Sequence, residues 1–145
     1  MQPRLDFVTL AVHDLQAALA FYRDGLGLPT TGVVGREFHD EQTGAEGTIA
    51  FVELQNGLVL GLYERSNLAR DASLPEGESS SLEFSLGHLV GSRDEVDDLL
   101  ARAVAAGGRL TASPHQRPWG VYSGYVSDPD GHLWEVGWDA RAAAA

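Results

Sequence analysis

An α+β fold built from two β-α-β-β-β modules is predicted, and three observations predict it. A strand-like opening followed by a capped amphipathic helix occurs twice, at "LDFVTLAVHDLQAALAFYRDGLG" and "LEFSLGHLVGSRDEVDDLLARAVAAGG", about 78 residues apart. Each copy is followed by strand-like segments separated by glycine-containing turns. The length of 145 residues fits one compact unit or two small modules sharing a core, and it excludes a large catalytic barrel.

In the first module, residues 1–65, "LDFVTLAV" alternates as a strand does. Leu15, Ala18, Leu19, Tyr22 and Leu26 then fall on one stripe of a helix, with Asp14 as N-cap and Gly25 or Gly27 at the C-terminus. After the polar stretch "GREFHDEQTGAEG", the run "TIAFVELQNGLVLGLYER" reads as two strands about an Asn56-Gly57 turn. A two-residue loop there puts Val52 opposite Gly61 and Leu54 opposite Val59, on one face with Ala50 and Tyr63. Ile49, Phe51, Leu58, Leu60 and Leu62 then take the face that packs under the helix.

Residues 66–80, serine-rich with a proline, read as a linker. In the second module, residues 81–140, Ser92 and Glu95 have capping-box spacing. Val96, Leu99, Leu100 and Ala103 form the stripe of the second helix, and Gly107 or Gly108 ends it. Residues 141–145 form a frayed tail.

Composition narrows the function. With 43% apolar and 21% charged residues the chain can bury a core. Its 21 acidic against 10 basic residues give a formal charge of −11, which repels phosphate backbones and argues against nucleic acid while favouring neutral or cationic partners. The absence of cysteine excludes disulfides and thiolate metal sites. No run approaches a membrane span and "MQPRLDFVTL" is not a signal peptide, so a cytoplasmic location is the expectation.

A strand ending in "AVHDL", a helix carrying "AFYRDGLGL" and a closing "WGVYSGYVSDPDGHLWEV" together resemble the vicinal oxygen chelate superfamily. That superfamily includes glyoxalase I, bleomycin-resistance proteins, fosfomycin-modifying enzymes and extradiol dioxygenases, and the likeness runs from Leu5 to about Trp138. It implies two β-α-β-β-β modules whose curved mixed sheets form a concave cleft, a homodimer, and, in metal-dependent members, a divalent ion held by four residues, typically His and Glu. Those positions fall here on Phe7, on Gly61, on Ser85 (or Phe84, if the "LDF" and "LEF" openings are aligned) and on Glu135. Only Glu135 is a ligand. One carboxylate does not hold a divalent ion, so no metal or other cofactor is expected, a metal centre with atypical ligands being the alternative.

"DPDG" is turn chemistry before it is anything else. Beyond it, strand alternation puts Leu133, Glu135 and Gly137 on one face, and His132, Trp134, Val136 and Trp138 on the other, where the tryptophans suit the core under the second helix. A tight hairpin sets Tyr122 and Gly124 across from Gly137 and Glu135, making a pocket floor with a carboxylate and a phenol. Glu135 is then a general base or an anchor for a cationic group, or else a relic satisfied by Tyr122 or Ser85. Trp119, before a glycine, either swings over this pocket and stacks on a flat or cationic ligand or packs in the core. His88 reads as a packed or edge histidine, and His39 and His115 as solvent-facing loop residues.

The reading that follows is a protein binding a small organic molecule, cationic or aromatic, without metal, with Phe7, Gly61, Ser85, Trp119, Tyr122, Gly124 and Glu135 around it. The alternative is a lyase, isomerase or dioxygenase-type enzyme, metal-dependent with atypical ligands or metal-free with Glu135 as general base.

Overall fold

The computed structural model describes residues 1–78, 80 and 84–143, and the chain divides into two compact units, Met1–Glu78 and Ser79–Ala145. Ser79 of the predicted linker, residues 81–83 at the start of the predicted second module, and residues 144–145 of the tail lie outside the described residues. Each unit holds one four-stranded mixed sheet with helices, the α+β arrangement expected.

In the first unit β1 (Phe7–Val12) leads into α1 (Leu15–Leu19), which continues as a π-helical turn, Ala20–Gly25. Strands β2 (Thr30–Val34), β3 (Ile49–Glu53) and β4 (Val59–Glu64) follow, and the sheet order is β1-β4-β3-β2 with β1 parallel to β4. The Asp14 carboxylate accepts from the backbone N–H groups of Gln16 (2.9 Å) and Ala17 (3.1 Å), satisfying two of the donors that a helix start leaves unpaired. The π-helical turn widens the stripe, so that Phe21 and Tyr22 are both buried, their rings edge to face at 4.9 Å. Leu26 of the predicted stripe is only half-buried. The helix closes at Gly27, whose φ of +72° favours glycine.

Leu10, Val12, Ala50, Val52, Leu60 and Leu62 line the face under α1, each Leu or Val worth about 1.5–3 kcal/mol when fully buried. This corrects the predicted faces of β3. The β3-β4 connection has three residues, Gln55–Gly57, with φ positive at Asn56 (+64°) and Gly57 (+79°), and the Leu54 N–H donates to the Leu58 carbonyl at 2.9 Å. The extra residue pairs Phe51 with Gly61 and Val52 with Leu60, which sends Phe51 to the open face and Val52 to the core.

The predicted linker is partly helical, as α2 (Arg65–Asp71). Its buried Asn67 accepts the Glu46 N–H through Oδ1 (3.1 Å), and Arg65 Nη2 donates to the Ala11 carbonyl (3.3 Å). Those contacts, invisible in composition, tie the segment to its own unit. The Tyr63 hydroxyl donates to the Glu46 carbonyl, and His39 Nδ1 sits 2.8 Å from Glu46 Oε1.

The second unit repeats the plan with β5 (Leu86–Leu89), α3 (Arg93–Ala105), β6 (Arg109–Gln116), β7 (Val121–Ser127), β8 (Leu133–Asp139) and α4 (Ala140–Ala143). The order is β5-β8-β7-β6 with β5 parallel to β8. Ser92 Oγ accepts the Glu95 N–H at 3.2 Å, while the Glu95 carboxylate reaches back to the Gly91 N–H, one residue before the usual capping-box partner. Gly107 (φ +107°) ends α3, with Gly107 N–H to the Val104 carbonyl and Gly108 N–H to the Ala103 carbonyl, a Schellman closure. Val96, Leu100 and Ala103 are buried, and Leu99 is half-buried. His115 lies in β6, not in a loop, and is exposed; α4 gives the start of the predicted tail a helical turn.

Candidate binding pocket on the second sheet

The β7-β8 hairpin decides what surrounds Glu135. Its turn is residues 129–131, three residues closed by the Asp128 N–H donating to the His132 carbonyl (2.9 Å), with the Asp128 carboxylate accepting the N–H groups of Asp130 (2.9 Å) and His132 (2.8 Å) and Gly131 at a φ of +89°. His132 stands opposite Asp128, its Nδ1 2.6 Å from Asp128 Oδ2, and Ser127 pairs with Leu133. Pairing therefore runs Ser123 with Gly137 and Tyr125 with Glu135.

The expectation for Tyr122 and Gly124 is thereby corrected: both belong to the face under α3, because one extra loop residue exchanges the two sides of a strand. The Tyr122 hydroxyl donates to Asp97 Oδ1 at 2.7 Å, a bond that, ahead of burial, raises its pKa. A Cβ at Gly124 would lie 2.8 Å from Leu100 Cδ1, so this glycine makes room for the helix, not for a ligand. Trp134 and Trp138 are half-buried on that same face, with the Arg93 guanidinium 6.0 Å from the Trp138 ring and 5.0 Å from the Tyr122 ring.

On the other face the half-buried Glu135 borders an open pocket of about 310 Å³, lined by Gly87, His88, Leu89, Trp119, Val121, Glu135 and Gly137. Gly87 pairs directly with Glu135, and Gly137 follows it on the same face, so two missing side chains open the space. Trp119 is 62% exposed in the turn before Gly120, which rules out core packing in its own unit and leaves the indole free to cover a ligand. His88 is an exposed residue at the edge strand of the sheet, and Ser85 is exposed just before β5.

Behind the pocket, Ser123 is fully buried and its Oγ donates to Glu135 Oε2 at 2.9 Å. Arg117 Nε donates to the same Ser123 oxygen at 3.2 Å, and Nη2 to the Ser123 carbonyl at 3.2 Å. Tyr125 has a raised pKa, chiefly from burial and then from the charge and hydrogen bonding of Glu135, with Arg117 opposing. None of Arg117, Ser123 and Tyr125 stood out in the sequence. The signal that could have found them is the G1-bulge pattern of "DPDGH", in which glycine in the left-handed region adds one residue to the hairpin.

Phe7 and Gly61 lie on the open face of the first sheet, Phe7 66% exposed and paired with Val59, and Gly61 between Thr9 and Phe51. Register also settles the alignment of the modules. Thr9 pairs with Gly61 and Gly87 with Glu135, each five residues before its helix cap, Asp14 or Ser92. Phe7 thus corresponds to Ser85 and not to Phe84.

The model of the Glyoxalase/Bleomycin resistance protein/Dioxygenase superfamily matches residues 4–136 of this sequence. The chain belongs to that superfamily. A glyoxalase-related enzyme from Fulvimarina pelagi is 32% identical, with a TM-score of 0.75, covering 94% of this chain and 88% of its own. A lactoylglutathione lyase from Agrobacterium tumefaciens is 26% identical, with a TM-score of 0.63 and 95% of each chain covered. The genomically encoded fosfomycin resistance protein FosX from Listeria monocytogenes shares the fold at 22% identity, with a TM-score of 0.67 over 100% of both chains. Among curated proteins none matches.

The superfamily's metal-dependent members raise the question of whether a divalent ion fits these residues. Phe7 and Gly61 bring no donor, and the carboxylate of Glu135 is already engaged by Ser123 and faces Gly87 across the strand pair. Among the described residues no group of three or more His, Asp or Glu side chains is placed to hold a metal ion. The donor set does not fit a divalent ion, which requires several converging ligands.

Proposed function

We propose that this protein binds a small organic molecule in the Glu135 pocket without a resident metal, Trp119 lying against the ligand's flat face and Glu135 accepting a hydrogen bond from it. The single observation that carries this reading is the pocket itself: a half-buried carboxylate, an exposed indole and two flanking glycines converge on about 310 Å³. Family membership supports a small-molecule ligand and a homodimer of the 15.5 kDa chain. We also place the chain in the cytoplasm; among the described residues no helix is long and apolar enough to cross a membrane.

The test is a thermal-shift and calorimetric screen of small aromatic amides, phenols and amines on metal-stripped protein. Binding near one molecule per chain, unaffected by a chelator and weakened in Glu135→Gln, is the expected outcome. A zinc, nickel, manganese or iron content near one per chain, lost in Glu135→Ala, would overturn it.

A second reading has one observation in its favour. Glu135 borders the pocket while Ser123 donates to its Oε2, the placement of a proton acceptor in a metal-free lyase or isomerase. Turnover abolished in Glu135→Gln with binding retained would establish that reading.

A further inference from the structure

The side chains behind Glu135 bear on which ligand the pocket takes. Arg117 is held by its backbone, its N–H donating to the Val121 carbonyl (2.7 Å) and its carbonyl accepting the Gly120 N–H (3.1 Å). Its guanidinium lies 5.7 Å from the Tyr125 ring centre and donates to both oxygens of Ser123. A serine hydroxyl has one proton, and here that proton goes to Glu135 Oε2, so the Ser123 oxygen can only accept from Arg117. The bridge therefore runs in one direction, from a cation that cannot be deprotonated to an anion, through a residue with no solvent exposure.

We infer that Arg117 is a positioning residue which, through Ser123, supplies the counter-charge of Glu135 from within the protein, so that the pocket selects a neutral aromatic molecule bearing an N–H or O–H donor over a cation. This rests on the pocket reading above and sharpens it. A neutral donor that reaches Glu135 from the pocket makes a charge-assisted hydrogen bond and brings no charge of its own to be desolvated. A cation must give up water to reach an anion that already has a partner. The preference runs against the chain's overall charge of −11, which draws cations from a distance.

Benzamide and benzamidinium are close in shape and differ in charge, so calorimetry with both on the full chain is the test. Wild-type protein is expected to bind benzamide at least as tightly, Arg117→Met to move the affinity ratio about tenfold towards benzamidinium, and Arg117→Lys to keep most of the wild-type ratio. An unmoved ratio in Arg117→Met, or a wild-type preference of about tenfold for benzamidinium, would overturn the inference while leaving the pocket reading in place. Failure of both probes to bind any variant would remove the two together.

Discussion

The two sheets of this chain share an order and a register, so their open faces can be compared position by position. Thr9 corresponds to Gly87, Gly61 to Glu135, Phe51 to Tyr125, Ile49 to Ser123 and Tyr63 to Gly137. In the first unit the central position is glycine and its neighbours are large; a Cβ at Gly61 would meet Thr9 Oγ1 at 3.3 Å and Ile49 Cδ1 at 3.5 Å. In the second unit the centre is a carboxylate, with glycines at the two positions where the first unit has Thr9 and Tyr63. One framework thus carries a filled face and an open one. The difference lies wholly in side chains, which is why a shared fold does not by itself assign a function.

The sharpest way to break this comparison is at Gly124, the counterpart of the buried Ala50. Gly124→Val places atoms against Leu100 Cδ1 (2.8 Å), the Ala112 carbonyl (2.9 Å) and the Pro114 nitrogen (2.9 Å). A loss of about 3 kcal/mol is expected, measured by urea unfolding, as for an overpacked core. Wild-type stability with lost ligand binding would return residue 124 to the pocket side and undo the register.

Glu135→Ala comes next. It should weaken benzamide by about tenfold, the worth of a hydrogen bond to a charged acceptor, and change folding stability by no more than about 1 kcal/mol. Gly61→Ala, at the matching place in the first unit, should leave benzamide affinity unchanged. Equal loss in the two variants would mean that the faces are not functionally distinct.

The fold was legible because it rests on periodicity and caps: Asp14 and Ser92 accept hydrogen bonds where expected, and both helical stripes are mostly buried. The site was legible in part. Glu135 and Gly137 were put on one face by strand alternation alone, and Trp119 was left between this pocket and the core by the glycine that follows it, whereas everything read across a hairpin was displaced by one residue. Both misreadings have the same cause, a loop one residue longer than a tight turn, at Gln55–Gly57 and at residues 129–131. A slip of one in a strand turns every partner over, so Ser123, Tyr125 and Arg117 were hidden while Tyr122 and Gly124 stood in their place.

Trp119→Ala should have a smaller effect. The indole is 62% exposed and bears no core load, so the unfolding midpoint should be unchanged. Benzamide affinity should fall by about fivefold, near 1 kcal/mol of ring contact. A destabilised variant with unchanged affinity would mean that the indole is a structural contact.

The subtlest test compares two phenols. Tyr63 in the first unit and Tyr125 in the second both have raised pKa values, and in both burial is the leading cause. They part at the second cause: Tyr63 feels Asp71 and Glu46, whereas Tyr125 feels Glu135 by charge and by hydrogen bond. Glu135→Gln should therefore lower the Tyr125 titration and leave that of Tyr63 unmoved, as read by NMR of the ring carbon bearing each hydroxyl. The sign for stability follows from linkage. A phenol that holds its proton more tightly when folded stabilises the fold fully below its unfolded value near pH ~10 and loses that contribution as pH rises through the folded value. Glu135→Gln should accordingly flatten part of the alkaline loss of stability, and the part that survives is the share due to burial and to Tyr63. If Tyr125 and Tyr63 shift together, the carboxylate acts through the field of the whole chain, and the local network drawn around Ser123 is the wrong description of it.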